Sequence, residues 1–322
     1  MKRKIIIFTG DPNSINSEII HKTWNKLDKK LKKRIYFISN YNLIKSQFKK
    51  LKYNTKINKV KNIFDQEGSL NIKIIDINLK FQNPFSVKKS IASKFIKNSL
   101  EVCHNLALKN YTQGFINCPI DKNLLNSRKK IGVTEYLASK CNIKNNKEAM
   151  LIYNKKFSVS PLTTHLDIKE ISKKITPALI INKIKTLNQW YKKKLKKKPK
   201  IAVLGLNPHN AELRKNSEEK RIIIPTIKKL EKSGINIKGP FVADTFFMDS
   251  FKKFDLLIGM YHDQVLTPFK SIYKFDAINI TIGLKYIRTS PDHGTAKTMI
   301  GKNKANPNSL IKCIDFINKS SK

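Results

Sequence analysis

The chain has 322 residues, 40% of them apolar, and a formal net charge of +42. That length and apolar content fill one large α/β domain or two smaller ones and exclude a disordered tail protein. The charge is almost all lysine, with arginine only at positions 3, 34, 128, 214, 221 and 288; readers of bases and phosphates lean on arginine's planar fork, so no nucleic-acid partner is expected.

The N-terminus, Met1-Lys2-Arg3-Lys4 followed by Ile5-Ile6-Ile7-Phe8, is basic, but its apolar run is too short for a signal peptide and predicts a buried strand over 4–8. A turn at Gly10–Asn16, a helix to about residue 33 and a strand over 34–38 complete the first unit. A strand near 72–77, a helix near 87–110 and a strand at 114–117 continue the alternation. A helix over 175–197 precedes a strand at Ile201–Leu206, and further strands are expected at 235–238, 254–259 and 277–282, with a terminal helix over 307–319. Apolar β-branched runs alternating with amphipathic stretches predict an α/β fold with a mostly parallel sheet wrapped by helices. No stretch approaches the ~20 uninterrupted apolar residues of a membrane span, so a soluble, cytoplasmic protein with no membrane partner is expected. Cys103, Cys118, Cys141 and Cys313 lack paired short spacing, which suits reduced, buried thiols.

Ligands of open α/β folds gather where strands end. His21 and His104 fall within expected helices and suit packing or surface roles. His165 follows Pro161-Leu162-Thr163-Thr164, His209 follows Leu206-Asn207-Pro208, and His262 follows Gly259-Met260-Tyr261. Three imidazoles on strand-end loops can share one divalent cation and leave coordination positions open for substrate; the spacing equally allows each to cap or hydrogen-bond locally. Asp263, beside His262, and Asp244, in Ala243-Asp244-Thr245, can fix a histidine tautomer, accept a proton or cap a helix. The loop from Gly10 to Glu18 can cradle an anion on amides at a helix start, or Ser17 can simply cap that helix. Lys270, Asn279 and Arg288 are donors of the kind a phosphate or carboxylate substrate needs. Asp292-His293-Gly294-Thr295-Ala296 opens the last helical stretch as a cap or a nucleotide-binding loop.

Taken in order, Gly10-Asp11-Pro12, Pro119-Ile120-Asp121-Lys122, Thr134-Glu135-Tyr136-Leu137-Ala138, Thr163-Thr164-His165-Leu166, Gly205-Leu206-Asn207-Pro208-His209, Gly239-Pro240 with Ala243-Asp244-Thr245, Met260-Tyr261-His262-Asp263-Gln264 and Ile287-Arg288-Thr289-Ser290 with Asp292-His293-Gly294-Thr295-Ala296 resemble the 4-hydroxythreonine-4-phosphate dehydrogenase family from end to end. The tail from Gly294 to Gly301, with Ala305-Asn306-Pro307, also resembles the adenine-side loop of isopropylmalate and isocitrate dehydrogenases.

The resemblance implies an isopropylmalate dehydrogenase-like fold, two α/β/α domains flanking a cleft, with residues 1–127 plus 291–322 in the first and 128–290 in the second. It implies a divalent metal (Zn, Co or Mg) on His165, His209 and His262, at the interface of a homodimer with the last histidine from the partner subunit. Substrate contacts fall to Thr134, Lys270, Asn279 and Arg288, NAD or NADP contacts to Asp292, His293, Gly294 and Asn306, and proton transfer to Asp244 or Asp263. The activity implied is oxidation of the small phosphorylated substrate 4-phosphohydroxy-L-threonine by NAD, followed by decarboxylation to 3-amino-2-oxopropyl phosphate, in vitamin B6 biosynthesis. The sequence departs from the family at Val133, where histidine is usual, and at Ser14, Asn16 and Ser17, where glycines and a proline are usual. Val133 keeps a sister activity open, on a phospho-threonate or phospho-erythronate.

Overall fold

The computed structural model describes residues 3–109, 111–125, 132–143, 147–248 and 250–320. In chain order the elements are β1 (Lys4–Phe8), α1 (Asn16–Lys26), α2 (Lys29–Lys32), β2 (Ile35–Ser39), α3 (Tyr41–Lys50), β3 (Ile57–Val60), β4 (Ile72–Asp76), α4 (Lys89–Leu108) and β5 (Thr112–Asn117). There follow α5 (Val133–Lys140), β6 (Ala149–Tyr153), β7 (Ser158–Thr163), α6 (Ile168–Lys174), α7 (Pro177–Trp190), β8 (Ile201–Leu204), α8 (Ile224–Lys232), β9 (Ile237–Phe241), α9 (Ala243–Phe246), β10 (Leu256–Tyr261), α10 (His262–Tyr273), β11 (Ile278–Ile282), β12 (Ile287–Pro291) and α11 (Asn308–Lys319). The chain divides into two compact units, residues 1–133 with 285–322 and residues 134–284. The border expected at 127/128 lies outside the described residues; the return to the first unit comes before β12, whereas the sequence reading places it at 290/291. No helix among the described residues is long and apolar enough to cross a membrane.

In the first unit the strands run β3-β4-β2-β1-β5-β12, every pairing parallel. Ile5, Ile6, Ile7 and Phe8 are all inaccessible, as a parallel strand covered on both faces requires. Helix α4 packs on β1, β2 and β5, and α11 on β1, β5 and β12. Gly114 is what lets β12 close on β5: with φ +149, a Cβ there would lie 1.7 Å from the Ile287 carbonyl oxygen. That close approach sets Arg288 opposite Phe115.

In the second unit the order is β11-β6-β7-β10-β8-β9. Here the expected parallel pattern is broken twice, because β6 runs antiparallel to both β11 and β7. Helix α10 packs on β7 and β10, and Phe157, Leu257, Val265, Phe269, Leu204 and Phe246 share one core.

Strands β7 and β12 escape an apolar reading, since Ser158-Val159-Ser160-Pro161-Leu162-Thr163 and Ile287-Arg288-Thr289-Ser290-Pro291 look polar yet are buried throughout. In β7 the hydroxyls are satisfied internally: Ser160 donates to the Met150 carbonyl and Thr163 to the Met260 carbonyl, both at 2.7 Å. Two other expectations need correction. Asp292 does not open a helix, because only a short turn, Lys297–Met299, precedes α11. Ser17 does not cap α1 either; it lies within that helix, whose cap position is Ile15.

Candidate active site

The second unit carries the histidines. Strands β7, β10 and β8 are neighbours running the same way, so His165, His262 and His209 all follow strand ends at one edge of the sheet. Tyr261 pairs with Thr163, and this register sets the ring centroids of His165 and His262 6.1 Å apart within one chain. His262 is not in a loop, as its sequence context suggests; it is the first residue of α10. Asp263, next in that helix, meets His262 Nδ1 at 2.6 Å. A carboxylate holding Nδ1–H fixes the tautomer that leaves the Nε2 lone pair for a cation.

His165 has a carboxylate near it at longer range. Glu135 Oε1 lies 3.6 Å from His165 Nδ1 and accepts the Thr164 hydroxyl at 3.0 Å. Burial alone would raise the Glu135 carboxyl, but the His165 side chain, its own backbone amide and the Thr164 hydroxyl bring it down to about 2. It is therefore an anion under any physiological condition. Two imidazoles of moderate softness, each backed by a carboxylate, suit a borderline divalent metal ion, so the donor set fits one. His209 is exposed on its own turn. Among the described residues no group of three or more His, Cys, Asp or Glu side chains converges within the chain, so the structure brings together two of the three expected ligands.

Thr134, the second residue of α5, is buried, with its hydroxyl 3.2 Å from that of Thr281 on β11. Asn279 lies two residues earlier on β11 and so shares the Thr281 face of the strand; its Oδ1 is buried with no hydrogen-bond partner among the described residues. Lys270 is exposed on α10, and Asp244 is exposed in the first turn of α9.

The first unit holds the remaining candidates. Arg288 is only 3% exposed, and its Nε donates to Asn117 Oδ1 at 2.6 Å, which fixes the guanidinium plane. After β12, the Asp292 amide donates to Ser309 Oγ at 3.0 Å, His293 Nδ1 donates to the Gly294 carbonyl at 3.0 Å, and Asn306 Oδ1 accepts the Asn308 amide at 2.9 Å. Asn306 is thus a helix-start acceptor for α11 whose side-chain amide nitrogen is left over. A Cβ built on Gly294 would meet nothing within 4 Å.

Four amides of the first loop are committed within the protein: Asp11 N to the Pro119 carbonyl at 3.0 Å, Asn13 N to Asp11 Oδ1 at 2.8 Å, Ile15 N to the Thr295 carbonyl at 3.2 Å and Asn16 N to Ser14 Oγ at 3.2 Å. Burial also pushes the Asp11 carboxyl up, against the Asn13 amide and Lys297. What this loop does is hold the 292–306 segment.

Sequence reasoning passed over Glu135, Asn117, Gln264 and Glu219. Glu135 and Gln264 lie inside motifs already singled out, Thr134–Ala138 and Met260–Gln264, so adjacency was the available signal. Asn117 and Glu219 are brought to their partners only by folding.

The chain matches the family described as "Pyridoxal phosphate biosynthetic protein PdxA" over residues 18–317. It is 36% identical over 319 residues to a 4-hydroxythreonine-4-phosphate dehydrogenase of Sulfurihydrogenibium sp. (strain YO3AOP1), covering 97% of both chains, and 34% identical over 322 residues to that of Aquifex aeolicus, covering 98% of both. Its fold matches the crystal structure of 4-hydroxythreonine-4-phosphate dehydrogenase from Klebsiella pneumoniae with a TM-score of 0.82 at 26% identity, over 99% of this chain and 100% of that one. The Burkholderia phymatum enzyme of the same name matches at 0.78 and 28%, over 99% and 98%. With a family match across nearly its whole length and full-length relatives above 30% identity, the chain belongs to the PdxA family of pyridoxal phosphate biosynthetic proteins.

Proposed function

We propose that the protein is an NAD(P)-dependent dehydrogenase that oxidises 4-phosphohydroxy-L-threonine to 2-amino-3-oxo-4-phosphooxybutanoate, whose decarboxylation gives 3-amino-2-oxopropyl phosphate. The observation that carries this reading is the His165–His262 pair, each ring backed by a carboxylate, in a chain of this family.

His165, His209 and His262 would hold a divalent metal ion, which would supply Lewis-acid stabilisation of negative charge on the substrate's hydroxyl oxygen. Asp263 keeps the His262 tautomer, and Glu135 does the same for His165. Arg288, held in plane by Asn117, presents its outer N–H groups to a substrate anion, and Lys270 adds a point charge. The Thr134 hydroxyl and the buried Asn279 Oδ1 fix the orientation of the substrate's polar groups, which sets C3 for hydride transfer to the nicotinamide. Asp292, His293, Gly294 and Asn306 contact the cofactor, and Asp244 or Asp263 takes the hydroxyl proton. The test is NADH formation from 4-phosphohydroxy-L-threonine by metal-stripped protein, with and without added Zn²⁺, Co²⁺ or Mg²⁺. Turnover restored by metal supports the reading. Metal and NAD binding without turnover overturns the substrate.

In that outcome a second reading takes over, a sister dehydrogenase of a phospho-threonate or phospho-erythronate. Its support is Val133, which stands buried at the start of α5, directly before Thr134, and offers a substrate anion no donor.

The protein acts as a homodimer with the metal site at the subunit interface. Since His165 and His262 share one chain, the partner subunit would supply His209 rather than His262, and mixing inactive His165→Ala and His209→Ala chains tests this: a site completed by the partner recovers about a quarter of wild-type activity, because half the dimers are mixed and each has one intact site. A site completed within one chain recovers none.

A further inference from the structure

His209 stands on backbone that non-glycine residues avoid. From His209 to Leu213 every φ is positive, at 49°, 56°, 52°, 50° and 53°. Left-handed helical backbone costs roughly 1–2 kcal/mol per L-residue, so such a turn persists only where its surroundings over-determine it.

One buried carboxylate does most of this. Glu219 is 0% exposed. Its Oε1 accepts the backbone amides of both Leu206 and Asn207 at 2.8 Å, and its Oε2 accepts Asn207 Nδ2 at 3.1 Å. Asn207 immediately precedes Pro208 and His209, so the clamp closes on the last extended residues before the strained turn. Neighbouring bonds fix the root of the loop. Gln264 Nε2 donates to the Gly205 carbonyl while its Oε1 accepts the Met260 amide, both at 2.7 Å, and Asn210 Nδ2 donates to the Pro240 carbonyl at 3.1 Å. The packing is close enough that a Cβ at Gly205 would lie 2.0 Å from Asn210 Oδ1.

We propose that Glu219 is a positioning residue for His209: by gripping the amides of Leu206 and Asn207, its carboxylate holds the left-handed turn that presents the imidazole to the divalent cation. This rests on the metal-site reading above. The chemistry calls for an ionised carboxylate, because three N–H donors converge on it and charge-assisted bonds are about twice as strong as neutral ones. Glutamine in its place keeps one acceptor oxygen and turns two N–H groups of its own toward the Asn207 side-chain donor.

The experiment is Co²⁺ binding to metal-stripped, full-length protein, followed by calorimetry and by the visible ligand-field band, for wild type, His209→Ala, Glu219→Gln and Asn207→Ala. Glu219→Gln is expected to weaken Co²⁺ binding by about 10–100-fold and to change the band toward that of His209→Ala, while circular dichroism and NAD affinity stay at wild-type values. Asn207→Ala keeps both backbone amides, serves if Glu219→Gln does not fold, and is expected to weaken Co²⁺ about threefold on losing one side-chain bond of the clamp. Wild-type Co²⁺ affinity and an unchanged band in folded Glu219→Gln, or in Asn207→Ala where only that variant folds, overturn the role of Glu219. Wild type that binds no Co²⁺, or binds it as His209→Ala does, overturns the metal-site reading itself and this inference with it.

Discussion

Two loops, one in each unit, are fastened by a buried glutamate, and they differ in what the glutamate must hold. In the first unit Glu18 Oε1 accepts the Ala305 amide at 2.7 Å and pairs with Lys22 at 2.7 Å; Lys22 in turn reaches the Asn303 and Ala305 carbonyls. The segment it holds, 292–306, takes positive φ at separate points, Ala296, Gly301 and Asn303, and turns of that kind are available locally. In the second unit Glu219 spends its carboxylate on loop amides, and the loop strings five left-handed non-glycine residues together. The first clamp docks a segment that local turn chemistry already permits. The second imposes a conformation the sequence would otherwise leave, and the residue imposed is His209. On the proposed function the first segment contacts cofactor and can stand on local turns, whereas His209 as a metal ligand has to be held to a few tenths of an ångström, which is worth backbone strain.

The widest way to break this contrast is to delete one residue from each loop. If the proposed function holds, His209→Ala is expected to lower metal-dependent NADH formation by at least about a thousandfold, because it would remove a ligand of the ion that stabilises the developing charge. Asn306→Ala removes a helix-start acceptor and one amide, and is expected to cost less than about tenfold. Initial rates at saturating metal compare them directly. Equal losses would mean that the two loops are equally exacting and that the distinction drawn from their backbones is empty.

The clamps themselves differ in what their loss does. Glu18→Ala strands the Ala305 amide and takes the carboxylate away from Lys22, so it is expected to destabilise the protein by about 2–3 kcal/mol. Denaturant unfolding measures this, and amide exchange at Ala305 should accelerate with it. Metal affinity should hold, since Glu18, Lys22 and the segment they hold belong to the first unit, whereas His165, His209 and His262 belong to the second. A fall in Co²⁺ affinity in Glu18→Ala would show that the two clamps are not separate devices.

How far the sequence alone reached follows from the same contrast. The strands of the first unit were legible because β1, β2 and β4 are apolar runs, and His209 and His262 were legible because each follows the apolar run of an expected strand. Strands β7 and β12 were hidden, since Thr163 and Arg288 find their partners, Met260 and Asn117, far away in sequence, and no local pattern reports such bonds. The resemblance filled some of that gap by motif order. Four amides of the first loop are likewise taken up by Asp11, Ser14, Pro119 and Thr295, and the last two of those partners lie far from it in the chain. Glu219 shows the limit most clearly. In sequence it is one acidic residue in Ser217-Glu218-Glu219-Lys220, an ordinary surface run, and only its total burial and the two amides at 2.8 Å reveal what it does.

The finest test acts on the strained turn without touching either clamp or the histidine. Ala211 sits mid-turn at φ 52°, where glycine is free of the steric cost of roughly 1–2 kcal/mol that an L-residue bears. Against that stands the greater backbone entropy glycine loses on folding, roughly 0.5–1 kcal/mol. The larger effect wins, so Ala211→Gly is expected to stabilise the protein by about 0.5–1 kcal/mol, a rise in melting temperature of a few degrees at most. The opposite change in the other loop, Gly301→Ala at φ +80°, should destabilise by about as much. A melting temperature that falls in Ala211→Gly would mean that the methyl group of Ala211, a residue only 6% exposed, contributes more by packing than the backbone loses by strain. The turn would then be held by burial, and Glu219 would have little left to impose.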